Sequence, residues 1–508
     1  MGATLLCALT ALSSPGSAQD APTKAPSPPF PTPELDSLEP LPTGPLEPLE
    51  PLAVPPLGEG TPLTLEAVVA ATLARAPKLE SAAQKIRAAE AEVMAAQGAF
   101  DTKLVGKLVD VPIGYYDTTR VSLALEQPTP YWGLMLTAGY RRGVGNWPVY
   151  YENYETLTAG EAFLGLELPL LRDRAIDAQR AKLLQADLKL KANQRALDAN
   201  ALQTARDAAI AYWGWVAAGR KLAIALRLMA LAEQREAAVD ALVRSGAIPA
   251  AERLENRRVL LGRRQEAIKA LRKLEKAAIK LALYLRDANG DPTRPDPRRL
   301  PDTLEPPAPL DEGLLSRAPA LALENRPEVA QMQATAQIAE IDVELTENQV
   351  APELDLMART SWDIGDTPKE LDKKLGPPIV EWGVTLKVPL QMRKPRGQRD
   401  AAQARRAGVT WDNRLAMDTL LNEVEDAISA VEAAQAGVPV ARDGARMANL
   451  RAEAERRRFI AGSTDLFKVN LLEDYAAQSE AKLVDAIADL HIAHATLRAA
   501  IGLAPDEP

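Results

Sequence analysis

The chain of 508 residues carries a formal net charge of −9, and 47% of its residues are hydrophobic but only 4% are aromatic. The acidic balance argues against nucleic acid as a partner, and no basic stripe with interleaved aromatic residues opposes that conclusion. No run of eighteen or more apolar residues occurs, which excludes a transmembrane helix. With so few aromatic residues, the interior must be packed with Ala, Leu and Val.

The first residues, 1–18, have features of a signal peptide. An apolar segment, Ala3–Leu12, precedes small residues that suit cleavage after Ala18, although no Lys or Arg comes before it. The only cysteine, Cys7, follows a leucine where lipid attachment needs a small residue. We therefore expect export and a mature chain without thiols, which is compatible with an oxidising periplasm.

The remaining chain divides into two repeats separated by proline-rich segments. Residues 19–62 form a Pro-rich linker, in which extended polyproline-like chain is favoured. We interpret it as a spacer or tether, with a docking peptide as the alternative. A second Pro-rich connector spans residues 287–310. The segments on either side are the first repeat, 63–286, and the second repeat, 311–504, with a short tail at 505–508.

Both repeats present the same order of parts: a helix broken by proline, strands, a long helix, a glycine turn and a return helix. The proline breaks fall at Pro77 and Pro327. Such an order, repeated after about 250 residues, indicates an internal duplication.

Short segments in both repeats alternate apolar and polar residues with period two. They lie at 352–364 and 379–390 in the second repeat, and between 100 and 171 in the first. A soluble antiparallel sheet alternates in the same way. The long helices that follow directly favour membrane-barrel strands, which are about ten residues long. So few strands cannot close a barrel, and open edges are not tolerated in hydrocarbon, so several copies must share one barrel.

The long helices are predicted at 176–244 and 398–460, each about 100 Å long. Return helices are predicted at 250–286 and 466–501. Gly246 and Gly462 lie just past the long helices, where glycine supplies a left-handed cap. Each glycine therefore marks the tip of a tight helical hairpin.

With this order of parts, the chain resembles the TolC-like family of outer-membrane efflux proteins. The resemblance covers residues 60–504 and rests on the duplicated order together with these segments: Leu63-Thr-Leu-Glu-Ala67, Pro389-Leu-Gln-Met-Arg-Lys-Pro-Arg-Gly397, the tip Gly462–Leu472 and the closing His491–Gly502.

The resemblance implies a mainly α fold with a membrane β-barrel portion, in which duplicated strand pairs and long coiled-coil hairpins build a trimeric α/β barrel duct. It implies four strands per chain, a homotrimer in outer-membrane lipid, and docking onto a periplasmic adaptor and an inner-membrane pump. It implies a conduit and not an enzyme, without cofactors. The exposed tips, at Gly246, Ala247, Gly462 and Ser463, are the expected adaptor contacts.

Two departures from the family pattern occur. An additional strand-like pair, Arg120–Gln127 and Leu134–Arg141, is either an extracellular hairpin or a pair of extra barrel strands. Family members often close the tunnel with acidic residues beside the second tip, where this chain has Lys468. Glu252 and Glu255 instead flank the first tip, either as a solvated first turn or, with Lys468, as a candidate gate ring.

Three sets of residues have competing interpretations. His491 and His494 are three residues apart on a helix, where packing is favoured over metal binding for want of a third ligand. Trp213 and Trp215 are interpreted as inter-helix packing. Four other tryptophans are candidates for an interfacial aromatic girdle: Trp132, Trp147, Trp362 and Trp382.

No catalytic constellation is found in the sequence, which has two histidines in all and no phosphate-binding glycine loop. We therefore predict an outer-membrane channel of a tripartite efflux or type I secretion system, passive and spanning the periplasm. The alternatives are a soluble periplasmic coiled-coil adaptor or scaffold, and a duct lineage that now serves in envelope anchoring.

Overall fold

The computed structural model describes residues 47, 49–114, 117–145, 156–366 and 378–504. The expected signal peptide, most of the Pro-rich linker, the tail and Trp147 lie outside the described residues. The helices are α1 (Leu65–Arg75), α2 (Pro77–Gln97), α3 (Ala178–Arg244), α4 (Ala250–Ala282), α5 (Glu312–Asn325), α6 (Pro327–Asn348), α7 (Arg393–Ile460) and α8 (Leu466–Ala500). The strands are β1 (Lys103–Val111), β2 (Thr118–Pro128), β3 (Met135–Gly145), β4 (Glu161–Pro169), β5 (Glu353–Asp363) and β6 (Ile379–Lys387).

The two long helices, α3 and α7, contain 67 and 68 residues. At 1.5 Å per residue each is about 100 Å long. The side-chain carboxylate of Asp177 begins α3 by accepting hydrogen bonds from the backbone N–H groups of Gln179 and Arg180, both at 2.8 Å. Helix α7 begins at Arg393, five residues before the predicted start, and continues through Pro439. Among the described residues, no helix is both long and apolar enough to cross a bilayer.

The helices pack as two antiparallel hairpins, α3 with α4 and α7 with α8, and the hairpins meet where α3 contacts α8. Alanine predominates at the buried positions of α3, which lets neighbouring helices approach closely. Larger side chains fill one core between the first hairpin and α1, where Tyr212, Trp215 and Leu281 are buried. Trp213, which neighbours this core, is half-buried.

The six strands form one antiparallel sheet in the order β1-β2-β3-β4-β5-β6. The strand-like pair that departed from the family pattern is β2 and β3, and β1 precedes it. The first repeat therefore contributes four strands and the second repeat two, instead of equal pairs. Strand β6 ends at Lys387, so the apolar residues that follow it lie in the connection to α7.

One face of this sheet is apolar across all six strands. The register places Leu104 opposite Leu125, Leu164 opposite Thr360 and Leu354 opposite Leu386. The apolar residues of this face are Leu104 and Leu108; Val121, Leu123 and Leu125; Leu136, Ala138, Tyr140 and Val144; Ala162, Leu164, Leu166 and Leu168; Leu354, Leu356 and Ala358 with Trp362; and Val380, Trp382, Val384 and Leu386. Its polar residues are Asp110, Thr119, Gln127, Arg142 and Thr360. Most of its large side chains are exposed.

The opposite face of the sheet is polar. Its charged residues are Lys103, Lys107, Arg120, Glu126, Arg141, Glu161, Glu167, Glu353, Asp355, Arg359, Asp363, Glu381 and Lys387. Several of them pair across strands, including Arg141 with Glu161 and Lys387 with Glu353. The two faces of the sheet thus differ in polarity.

All four junctions between helices and sheet lie at the same end of the strands. Helices α2 and α6 lead into β1 and β5, whereas β4 and β6 lead into α3 and α7. Because alternate strands run in opposite directions, the turn at 129–134 between β2 and β3 also lies at this helical end. The other strand ends, at Val111 and Thr118, Gly145 and Glu161, and Asp363 and Ile379, lie at the distal end.

Residues 49–63, which comprise the end of the Pro-rich linker and the first residue of the first repeat, lie against the first hairpin. Leu49 and Leu52 pack on the buried side chains of Met229 and Leu260. The backbone N–H of Gly60 donates to the carbonyl of Arg298 in the second Pro-rich connector at 2.8 Å. We call residues 49–63 the N-terminal strap.

Candidate functional site: the hairpin tips and the Glu473 cluster

Both hairpin tips end their long helix in the same way. Gly246 has φ +72° and Gly462 has φ +69°, which is the left-handed region that glycine adopts most readily. At the first tip, the N–H of Ala247 donates to the carbonyl of Leu242 at 2.9 Å. At the second tip, the N–H of Ser463 donates to the carbonyl of Arg458 at 2.9 Å. These six-to-one bonds are Schellman caps, and they turn the chain within a few residues.

The second tip is tied together by Glu455, a residue whose role the sequence did not indicate. Its buried carboxylate accepts a hydrogen bond from the Thr464 hydroxyl and forms ion pairs with Arg458 at 3.2 Å and with Lys468 at 3.4 Å. The side chain of Asp465 begins α8 by accepting from the N–H of Lys468 at 2.8 Å. Lys468, a residue of the candidate gate ring, is therefore paired within its own hairpin.

The two acidic residues of the candidate ring lie in the first turns of α4. Glu255 accepts two hydrogen bonds from the Arg258 guanidinium, at 2.6 and 2.8 Å, and these bonds lower the pKa of its carboxyl. Glu252 is half-exposed, and its N–H donates to the carbonyl of Pro249 at 3.1 Å. Within one chain, Glu255 thus makes a local ion pair, and a ring requires symmetry-related copies.

Above the tips, a buried carboxylate joins the four helices of the two hairpins. Glu473 of α8 is only 2% exposed. Its carboxylate oxygens form ion pairs with the guanidinium nitrogens of three arginines, which are Arg235 of α3 at 2.6 Å, Arg263 of α4 at 3.0 Å and Arg456 of α7 at 3.1 Å. We call Glu473 and these three arginines the Glu473 cluster. It fastens the second hairpin to the first.

The charge balance of the Glu473 cluster keeps its central carboxylate ionised. Burial raises the pKa of Glu473, but Arg235 and Arg263 together outweigh burial, so that the pKa lies below its ordinary value. Asp474, which accepts from Arg263 at 3.2 Å, behaves oppositely, because burial there raises the pKa more than the arginine lowers it.

Further from the tips, α3 and α8 make lateral contacts on a more exposed surface. Lys221 pairs with Asp485, and Arg227 with Glu480. Trp213 stacks on His491, with ring centroids 3.6 Å apart and planes 13° apart. The two histidines thus lie among packed helices. Burial lowers the pKa of His494 to about 4.

In the part of the chain that the structure describes, no group of three or more His, Cys, Asp or Glu side chains is arranged to hold a metal ion. His491 contacts the backbone carbonyl of Glu305 at 2.8 Å through its Nε2 atom. The Nε2 atom of His491 is thus engaged by a carbonyl and its ring face by Trp213, an arrangement typical of a packed side chain.

The described tryptophans of the proposed girdle lie at different levels of the sheet. Trp132 is in the turn at the helical end and is 64% exposed. Trp362 is near the distal end of β5, and Trp382 is opposite Ala358 within β6. Trp132 and Trp362 therefore mark opposite ends of the strands, and the girdle stays a prediction.

Comparison with known proteins gives a family match and a fold match. Residues 318–503 match the family model described as "Outer membrane efflux protein". Among curated proteins, no sequence matches the chain significantly.

Several solved structures share the fold at low sequence identity. A membrane protein from Pseudomonas aeruginosa has a TM-score of 0.60 and 18% identity, over 90% of this chain and 99% of that one. The CmeC outer membrane channel of Campylobacter jejuni has a TM-score of 0.59 and 14% identity, over 87% of each chain. The outer membrane protein VceC of Vibrio cholerae has a TM-score of 0.59 and 15% identity, over 87% of this chain and 97% of that one.

These matches confirm the resemblance found in the sequence. The family model covers most of the second repeat, and the structural match to the Pseudomonas aeruginosa protein covers 90% of the chain. Residues 318–503 thus match the outer membrane efflux protein family, and the chain as a whole has the fold of solved outer-membrane channels.

Proposed function

We propose that this chain is one subunit of a trimeric duct that carries solutes passively from the periplasm to the outside of the cell. Three copies close the barrel in the outer membrane, and their hairpins form the tunnel below it. Transport energy comes from an inner-membrane pump that reaches the duct through a periplasmic adaptor. The chain itself performs no catalysis.

The observation that carries this proposal is the apolar face of the six-stranded sheet. Six strands at about 4.8 Å spacing and about 30 Å length give a face of roughly 850 Å². The largest apolar patch on a soluble monomer is about 300–600 Å². A soluble scaffold would leave this larger face in water, whereas a barrel wall places it against lipid.

The strand lengths fit a bilayer. The strands contain 9 to 11 residues. At about 3.3 Å per residue and a tilt of about 40°, such strands rise about 25 Å, which is the height of the apolar band of outer-membrane barrels. The helical junctions at one end then place both hairpins on the periplasmic side.

Exposed apolar side chains around the second tip support an adaptor at the lower end of the tunnel. Ile460 is 80% exposed and Phe467 is 64% exposed, on either side of Gly462. These positions suit contact with a partner or with a neighbouring copy. We propose that both tips, at Gly246, Ala247, Gly462 and Ser463, contact the adaptor.

We also propose that Glu252 and Glu255 narrow the tunnel entrance in the trimer. Three-fold symmetry would bring six carboxylates of the first tips around one axis, and Lys468 of each second tip lies on the neighbouring hairpin. Such a ring attracts cations. It supplies selectivity at the entrance without a bound cofactor.

The function is tested by conductance in planar bilayers. The parent protein is expected to insert and conduct. Val384→Arg places a charge on the apolar face and should reduce insertion strongly, because arginine facing lipid costs about 2–4 kcal/mol at the midplane. Thr385→Arg, on the polar face of the same strand, should insert like the parent. Equal insertion of both variants, or recovery of the parent as a soluble monomer, would contradict the proposed function.

A further inference from the structure

We propose that the β1 edge of each copy pairs with the β6 edge of its neighbour, so that the hairpin β1–β2 is part of the barrel wall. Each copy then contributes six strands instead of four. The inference rests on the proposed function, and it concerns the bore of the barrel and the surfaces through which copies assemble.

The first argument comes from the edges of the sheet. In the described chain, β1 pairs only with β2, and β6 pairs only with β5. Both edge strands have 9 residues, and nearly every residue of each is exposed, whereas β5 is half-buried along most of its length. Each unpaired backbone group in hydrocarbon costs several kcal/mol. Two edges of equal length satisfy each other when copies close into a ring.

The second argument comes from the apolar face, which does not stop at β3. Leu104 and Leu108 in β1 are 65% and 69% exposed, close to the 62% of Leu386 in β6. They lie opposite Leu125 and Val121 on the same face of the sheet. A hairpin in extracellular water would leave these side chains without an apolar environment. In the barrel wall they face lipid.

The third argument comes from the level of the hairpin relative to the helices. At Gly133, in the turn between β2 and β3, a Cβ atom would lie 2.8 Å from Pro169 and 2.9 Å from the carbonyl oxygen of Asp173. The turn therefore rests against the junction of β4 and α3. At the same level, the Gln127 side-chain amide donates to the carbonyl of Phe100 at 2.8 Å. The β1–β2 hairpin therefore begins and ends at the same level as the other strands, at the periplasmic boundary, and is not an extracellular loop.

The fourth argument is the direction of the strands. In a six-stranded antiparallel sheet, the first and last strands run in opposite directions. When β6 of one copy meets β1 of the next, the new pair is antiparallel like all the others. Closure therefore needs no parallel pair and no rearrangement of the hydrogen-bond pattern.

The consequence is a wider outer mouth. Three copies of a six-stranded sheet make eighteen strands. With strands about 4.8 Å apart and tilted by about 40°, the backbone of such a barrel is about 36 Å across, against about 24 Å for four strands per copy. The cross-section is roughly doubled. The additional wall also brings three cations, Lys103, Lys107 and Arg120, and one carboxylate, Glu126, to the polar face that lines the lumen.

The first test is disulfide cross-linking between copies in a chain with Cys7→Ser. Lys107→Cys in β1 is combined in turn with Glu381→Cys, Gly383→Cys and Thr385→Cys in β6, and oxidation is followed by denaturing electrophoresis. At least one pair should give covalent dimers and trimers. The matched control replaces Lys107→Cys by Thr137→Cys in β3, which lies three strands, or about 14 Å, from the neighbouring β6 if the proposal holds.

The second test compares two neighbouring residues of β2. Leu123→Arg faces lipid in the proposal and should lower insertion into lipid vesicles by about 30-fold or more, because of the cost of arginine at the midplane. Ser122→Arg faces the lumen and should insert like the parent.

The outcomes are distinguishable. Cross-links through Thr137→Cys, the lack of any cross-link through Lys107→Cys in a conducting channel, or normal insertion of Leu123→Arg would overturn the six-strand assembly while leaving the duct function intact. Failure of the parent to insert or conduct would overturn the proposed function itself.

Discussion

Neutralising Glu473 should loosen the second hairpin from the first. Glu473→Gln removes a carboxylate that is shared by three arginines from three other helices. Breaking a buried ion pair by removing one partner costs about 3–5 kcal/mol. Each arginine keeps at least one other acceptor, so we expect the lower end, about 3 kcal/mol. These remaining acceptors are Asn470 for Arg235, Asp474 and the Leu228 carbonyl for Arg263, and Glu453 for Arg456.

The assay is hydrogen exchange of peptides from the tip-proximal half of α8, combined with single-channel conductance. A loss of about 3 kcal/mol raises amide exchange there by roughly 100-fold. Conductance should rise, because the tips can separate. The matched control, Asp485→Asn, removes an exposed ion pair between the same helices, which is worth below about 1 kcal/mol. Equal exchange and conductance in the two variants would refute the role assigned to the Glu473 cluster.

Three further predictions concern the tips and α8. Gly462→Ala should destabilise the protein by about 1–2 kcal/mol, because alanine tolerates the left-handed backbone of the second tip poorly. The control Gly437→Ala, inside α7 with open space around it, should stabilise the protein by about 0.5–1 kcal/mol. Thermal unfolding of both variants measures the difference. The folded-state pKa of His494 is about 4 against an ordinary 6.5, so its contribution to stability is complete above pH 6.5 and is lost as the pH falls towards 4. Between pH 7.5 and pH 5 this loss is about 2 kcal/mol, and melting of His494→Gln should show a correspondingly weaker pH dependence over that range. Neutralising Glu252 and Glu255 together should lower the preference of the channel for cations, measured as a reversal potential; an unchanged potential would exclude the gate ring.

The helices and tips could be read from the sequence because their signals are local. Long alanine-rich stretches predict the helices, and glycine followed by Pro249 or Asp465 predicts each tip. The strands β4 to β6 could be read because alternation is strict within each segment. Strand β1 was not assigned as a separate strand, because Gly106 and two lysines interrupt its apolar pattern.

The Glu473 cluster could not be predicted, since its partners are distant in the chain. Arg263 and Glu473 are 210 residues apart, and the rotation of each long helix decides which side chains face inward. Arg456 lies in a run of three arginines near the end of α7, a pattern that by itself indicates only a favourable interaction with the helix dipole. The local signal was a carboxylate beside Leu472 on a buried face of α8.

The N-terminal strap has a consequence for the order of events during folding. Its backbone hydrogen bonds at Gly58, Gly60 and Leu63 end on carbonyls of residues 297–299, which are synthesised and exported more than 230 residues later. Contacts this distant in sequence close large loops and form slowly. The N-terminal strap is thus among the last segments of the chain to find its place. Until then it is a solvated arm, accessible to chaperones and proteases.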